Sequence, residues 1–524
     1  MRCARLLSAT LSTLTLATLL GGCAKLSAPY GGMAAMDSMA MPSPTSEQFE
    51  APQFNTEAYA ELTENDFIAV ADDPLSTFST DVDTASYSNT RRFLRDGALP
   101  PAAAVRIEEL VNYFDYDYEA PQGPHPFSVD AEVSACPWQP DHLLVHLGLQ
   151  GRTLAPGTAP ARNLVFLLDV SGSMNEPDKL PLLKHAMGLL AEQLREQDHV
   201  SIVVYAGASG VVLEPTNDRR EIVRALRRLE AGGGTNGSAG IEAAYELAAR
   251  HFQPGAVNRV ILATDGDFNI GPSSVGELVD LIEAKRASGV FLTVLGLGRG
   301  NLDDATMEAL ADHGNGNYAY IDSEREAEKV LMREVDATLV TIAKDVKLQV
   351  EFNPAEVESY RLIGYENRVL AHQDFNDDAK DAGEIGAGHE VTAMYEIVPR
   401  RAGAKATAQV DALEYQSGRT PTAASASGEL MNVKIRYKQP EGDESTMLQV
   451  PVRATARATP SEDFRFAAAV AEFGLLLRDS KYKGRASWAA TIELARGSIG
   501  HDRDGDRHEF VRMAQAAGKL ARRD

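Results

Sequence analysis

Short apolar runs mark the middle of the chain: LVFLLDV at 164–170, VSIVVYA at 200–206, RVILATD at 259–265 and VFLTVLGLG at 290–298. Each is nearly continuous rather than alternating, as in strands buried on both faces of a parallel sheet. The segments 179–195, 219–229, 238–251, 273–287 and 303–312 separate these runs and read as helices. This alternation of strand and helix predicts a doubly wound, mostly parallel α/β domain over 161–340.

The flanks have a different texture. Ahead of the α/β segment the pattern predicts a helix at 87–96, the turn DGALPP, and a helix at 103–114 carrying Val105, Ile107, Leu110, Val111 and Phe114. The alternating, β-branched stretches FSVDAEVSACPW and HLLVHLGLQG follow, as strands. After residue 340 come VKLQVEF, SYRLIGYE, HEVTAMYEIV, NVKIRYK and MLQVPVRA, joined by acidic or glycine-rich loops, and from 461 the chain turns helical. The strand runs on the two sides are alike in kind, which predicts one β-sandwich with the α/β domain inserted into it. The expected division is 66–160 for the N-terminal region, 161–340 for the α/β domain, 341–460 for a β-rich domain and 461–524 for a helical end.

The first residues read as export machinery. Arg2 and Arg5 precede the apolar LLSATLSTLTLATLL and then Gly21, Gly22 and Cys23, a signal peptide over 1–22. LLGGC resembles a bacterial lipobox, which implies that Cys23 is lipidated and anchors the chain; a plain cleaved signal with an incidental cysteine is the competing reading. Ala24 after that cysteine, by resemblance to enterobacterial lipoproteins, implies the outer membrane, facing the periplasm. Residues 23–65, rich in Ala, Ser, Pro, Met and acidic side chains, read as a disordered tether. Its Met33, Met36, Met39 and Met41 fit a low-complexity linker better than a copper site.

Composition narrows the function. The 524 residues carry a formal net charge of -24, the wrong sign for neutralising phosphates, so no nucleic-acid partner is expected. With Cys3 and Cys23 in the leader, Cys136 stands alone and no disulfide framework is available.

The chemistry concentrates at the carboxyl ends of the central runs. LVFLLDVSGSMN presents Asp169, Ser171 and Ser173, EAGGGTNGSAG presents Thr235 after a glycine run, and RVILATDGDFNIG presents Asp265. Open α/β sheets bind ligands at that edge, and a carboxylate with two hydroxyls suits a hard cation such as Mg²⁺. D-x-S-x-S alone reads equally as a helix cap; joined to G-G-G-T and T-D-G in this order it is specific. Residues 160–340 resemble a von Willebrand factor A domain, and the five residues match its metal-ion-dependent adhesion site. The resemblance implies that Ser171, Ser173 and Thr235 face Mg²⁺ or Mn²⁺ while Asp169 and Asp265 act largely through waters. An acidic residue of a partner protein would then complete the shell. STFSTDVDTASYSNTRRFLRDGALPPAAAVRIEELVNYFDYDY, ESYRLIGYENR, DFNDDAKDAGEIGAGHEVTAMYEI and AEFGLLLRDSKYKG further resemble the flanks of bacterial YfbK-like lipoproteins.

Other constellations fall short. Asp81 and Asp83 in TDVDTAS lack the apolar strand a haloacid-dehalogenase-type phosphotransferase needs, and read as a turn with capping by Thr84 or Ser86. Asp502, Asp504 and Asp506 lack the glycine and glutamate of an EF-hand and read as a loop capping the last helix. Asp374, Asp377, Asp378 and Asp381 read as an exposed turn or a surface for a basic partner, and Cys136 as a buried hydrophobe. The expected role is therefore binding of a protein ligand by a lipid-anchored envelope protein, with no catalysis. The alternative is an assembly scaffold working through the flanks.

Overall fold

The computed structural model describes residues 57–523 apart from 81, 156, 235–236, 267–274, 401–420 and 454. The leader, Cys23 and most of the expected tether lie outside the described residues. At the centre is a six-stranded sheet in the order Tyr318–Ile321, Phe291–Leu297, Val257–Thr264, Arg162–Asp169, His199–Tyr205, Ser209–Thr216. All neighbours are parallel except the last pair, an antiparallel hairpin at the edge. Every residue of Arg162–Asp169 is buried, as its unbroken apolar run requires. The helices Leu180–Glu192, Arg219–Arg228, Gly237–Arg250, Val275–Arg286 and Asp304–His313 fall where expected. The strands Ser209–Thr216 and Tyr318–Ile321 were not foreseen: the first is a largely exposed edge and the second is only four residues long.

Two further sheets draw strands from both sides of this domain. One runs Ile68–Ala69, Val357–Ile363, Glu390–Pro399, Gln139–Gly151, Phe127–Cys136; the other joins Gly383–Gly386, Thr341–Phe352, Glu429–Lys438 and Ser445–Arg453, with Leu75–Ser79 paired to Thr341–Phe352. Val145, Leu147 and Leu149 of the first sheet share one core with Leu348, Val350 and Ile435 of the second, so the expected sandwich forms. On the outer face of the first sheet, Leu144, Ile363 and Met394 are covered by Leu110, Phe466 and Phe510 from the flanking helices. The fold is thus a doubly wound α/β domain inserted into a β-sandwich with a helical layer on its back.

Local expectations need correction at both ends of the N-terminal region. The tether was expected to run to residue 65, yet Ala58 pairs with Asp303, and its N–H donates to Leu302 O at 2.9 Å. Glu57 accepts from Arg92 at 2.9 Å and from Gly300 N at 2.8 Å, and Asn65 donates to Gly364 O at 2.8 Å. Composition cannot register such polar contacts between distant segments. The helix Ala85–Arg95 is also not capped as expected: Thr84 stands at its N-cap without a side-chain bond, and the Ser86 hydroxyl donates to Ala104 O. Glu109 does the capping, accepting Ser86 N at 2.7 Å. Asp83 is structural, accepting Tyr318 N at 2.7 Å. Asp502 accepts the N–H groups of Arg507 and His508 at 3.1 and 3.0 Å, so it caps the last helix, Asp506–Leu520, as expected. Cys136 is buried.

Candidate metal centre

The strand Arg162–Asp169 delivers Asp169 to the carboxyl edge of the sheet, and its parallel neighbour Val257–Thr264 delivers Asp265 beside it. Both carboxylates are fully buried. Asp169 Oδ1 accepts Ser171 N at 2.8 Å, and Oδ2 accepts the Thr264 hydroxyl at 3.1 Å. The chain then enters the short turn Gly172–Asn175, preceded by Ser171, whose side chain makes no capping bond. The reading of these serines as helix caps therefore fails. Their hydroxyl oxygens lie 3.0 Å apart, and Ser173 also hydrogen-bonds Asp265.

The glycine loop is fastened to the same turn. Gly232 N donates to Val170 O at 2.8 Å and Gly172 N to Gly233 O at 3.1 Å, with Gly233 at φ +86 where a side chain would be strained. Thr235, two residues on, lies outside the described residues. Gly266, after Asp265, has φ +89, and a Cβ there would stand 2.6 Å from Asp303 N, so the T-D-G turn demands glycine.

Burial pushes the Asp169 carboxyl up to about 6; hydrogen bonds to Ser171 and Thr264 oppose the rise and the nearby charge of Asp265 adds to it. For Asp265 burial acts in the same direction. There, however, the hydrogen bond to Asn301 and the Lys179 ammonium outweigh it, and its carboxyl stays below the ordinary range. Lys179 Nζ donates to Asp265 Oδ2 and to Asn301 Oδ1, each at 2.9 Å, and is almost fully buried. Gly298 makes that reach feasible, since a Cβ there would meet Lys179 Cε at 2.3 Å.

Asp169, Ser171, Ser173 and Asp265 are thus brought together, and they offer oxygen alone. Two buried carboxylates with two serine hydroxyls held against them fit a small hard cation, which would supply a counter-charge for Asp169. Sequence reasoning missed Lys179, Thr264 and Asn301. Thr264 sits inside the T-D-G motif, but nothing in the pattern around Lys179 distinguishes it from an exposed first-turn lysine.

Three family profiles match the chain: "Uncharacterized protein YfbK, C-terminal" over residues 337–520, "von Willebrand factor" over 53–146, and "von Willebrand factor type A domain" over 164–267. The last spans both described acidic segments of the site. The chain is 44% identical over 471 residues to the uncharacterized protein YfbK of Escherichia coli K12, covering 88% of this chain and 81% of that one. It is also 34% identical over 114 residues to the magnesium-chelatase 60 kDa subunit of Rhodobacter capsulatus, 21% of this chain and 20% of that one. Among solved structures, the von Willebrand factor type A protein from Catenulispora acidiphila is similar at 16% identity, with a TM-score of 0.43 and coverage of 77% of this chain and 91% of that one. The chain belongs to the YfbK family, with a von Willebrand factor type A domain at its centre.

Proposed function

We propose that this chain is a lipid-anchored cell-envelope protein that binds an acidic protein ligand through a divalent cation held by Asp169, Ser171, Ser173, Thr235 and Asp265. The observation that carries the reading is the convergence of two buried carboxylates and two serine hydroxyls, all oxygen donors, at the carboxyl edge of the central sheet. Mg²⁺ suits such a set because it keeps some positions for water or a partner's oxygen; Mn²⁺ could replace it. Lys179 sharpens the argument. Its ammonium already offsets Asp265, leaving about one net negative charge beside the ion, so a bound cation keeps enough positive charge to attract a partner's Glu or Asp.

In this reading Cys23 carries the lipid, the residues after it link the body to the outer membrane, and the domain faces the periplasm. No helix among the described residues is long and apolar enough to cross a membrane. The role is binding, without turnover. A second reading, a scaffold acting through the flanks, is favoured by the charged network that knits them to the α/β domain: Arg91 pairs with Asp322, Glu326 and Glu509.

Calorimetric titration of the full chain with Mg²⁺ tests the site. One ion should bind, and Asp169→Ala or Ser171→Ala should remove it without changing the circular dichroism spectrum. Unchanged Mg²⁺ binding in both variants would refute the assignment, as would a hydrolase activity that disappears with Asp169 for the absence of turnover.

A further inference from the structure

Far along the chain from that edge, Asp345, Asp381 and Glu384 each place a carboxylate oxygen within 4.8 Å of the others. Asp345 belongs to the strand Thr341–Phe352, Glu384 to Gly383–Gly386, and Asp381 to the acidic loop just before it. Two of the three have a cation beside them. Lys438 Nζ lies 2.7 Å from Asp345 Oδ2, and Arg286 Nη1 lies 2.5 Å from Asp381 Oδ2.

Glu384 is different. It is only 8% exposed, and its Oε1 is buried without a hydrogen-bond partner. A buried carboxylate oxygen left unpaired is strongly unfavourable, and two more carboxylates alongside make it worse. Burial pushes the Glu384 carboxyl well above its ordinary range, and the charges of Asp381 and Asp345 add to the rise. The charges of Arg286 and of the buried Arg259 act on Glu384 from nearby, but neither hydrogen-bonds Oε1, which leaves a proton or a metal ion to pair it.

We propose that Asp345, Asp381 and Glu384 hold a second divalent cation, of the calcium class, at the seam between the sandwich and the α/β domain. Three carboxylates face three cations, Arg286, Lys438 and the buried Arg259 whose charge acts on Glu384, and all donors are hard oxygens. A calcium ion takes six to eight such ligands in a flexible arrangement, with waters filling the remainder. Water has access: Asp345, Asp381, Arg286 and Lys438 line a cavity of about 630 Å³. Glu384, more deeply buried than either aspartate, would be the inner ligand. All three ligands belong to the sandwich side, and Arg286, which closes the helix Val275–Arg286, reaches Asp381 from the α/β domain. The site does not depend on the assignment at Asp169.

Calcium titration of the full chain carrying Asp169→Ala, which silences the first site, tests this directly. That protein should bind one Ca²⁺ and melt at a higher temperature with calcium than with chelator. Adding Glu384→Gln should weaken calcium binding at least tenfold and abolish the melting shift, and Asp345→Asn provides a second variant with the same expected loss. Absence of calcium binding in the Asp169→Ala chain would overturn the proposal, leaving a shared proton as the occupant. Calcium binding left unchanged by Glu384→Gln and Asp345→Asn would also overturn it.

Discussion

Lys179 Nζ donates to Asp265 Oδ2 across 2.9 Å, with the lysine side chain 6% exposed and the aspartate fully buried. A fixed positive charge therefore stands inside the shell expected to receive a cation. The ammonium keeps Asp265 ionised and, under the proposed function, should lower the affinity of the site for Mg²⁺. Lys179→Met should tighten Mg²⁺ binding by about tenfold, a modest share of the Coulomb repulsion between neighbouring charges in a semi-buried setting. The same change should destabilise the metal-free protein by about 3 kcal/mol, since it strands a buried carboxylate. Calorimetry and urea unfolding read the two effects. An unchanged affinity would mean that Lys179 leaves when the ion arrives.

Arg106 joins the N-terminal region to the α/β domain. Its Nη1 lies 2.5 Å from Asp304 Oδ2 and 3.6 Å from Glu308 Oε2, its Nε pairs with Glu109, and it is 2% exposed. Arg106→Ala should cost about 3–5 kcal/mol, because it leaves buried carboxylates uncompensated. Urea unfolding measures this; a loss below about 1 kcal/mol, the range of a surface pair, would show that the network contributes little.

Much of this was legible in the chain and some was not, for identifiable reasons. The buried runs around Val165, Ile202, Ile261 and Leu292 are continuous because both faces of their strands are covered, so periodicity found them. Asp169, Ser171, Ser173 and Asp265 were legible because a strand must end in a loop, and the loops carry oxygen donors at regular offsets. Lys179 was not, since a buried lysine and a solvated one look alike until its partner is known. Glu57 and Asn65 were hidden for the same reason: their partners, Arg92 and Gly364, are distant in sequence. The short strand Leu75–Ser79, which the hydrophobic pattern did not mark, exists because Thr341–Phe352 offers it an edge. Glu109 replaced the expected cap at Ala85–Arg95 through a contact made by a second helix.

Glu390 gives the fold a pH dependence. Burial pushes its carboxyl up to about 8, the Tyr116 N–H opposes the rise, Asp115 and Asp463 add to it, and Lys329 opposes it. The native state then holds a proton that the unfolded chain releases near 4.5. The associated stability is complete below about 4.5 and is lost as pH rises through about 8. Glu390→Gln, whose amide oxygen can still accept from Tyr116, should melt a few degrees above the parent at pH 9 and match it at pH 4. Equal melting temperatures at both values would show that the carboxyl is not buried against its ionised form.

Under the proposed function, ligand capture requires the cation held at Asp169. Full-length protein on beads, exposed to envelope extract with Mg²⁺, with chelator, and as Asp169→Ala with Mg²⁺, tests it most directly. A partner should be captured in the first arm alone, with binding restored when Mg²⁺ is returned after chelation. The same partner retained at equal yield in all three arms would contradict it, and would move the binding surface to the flanks.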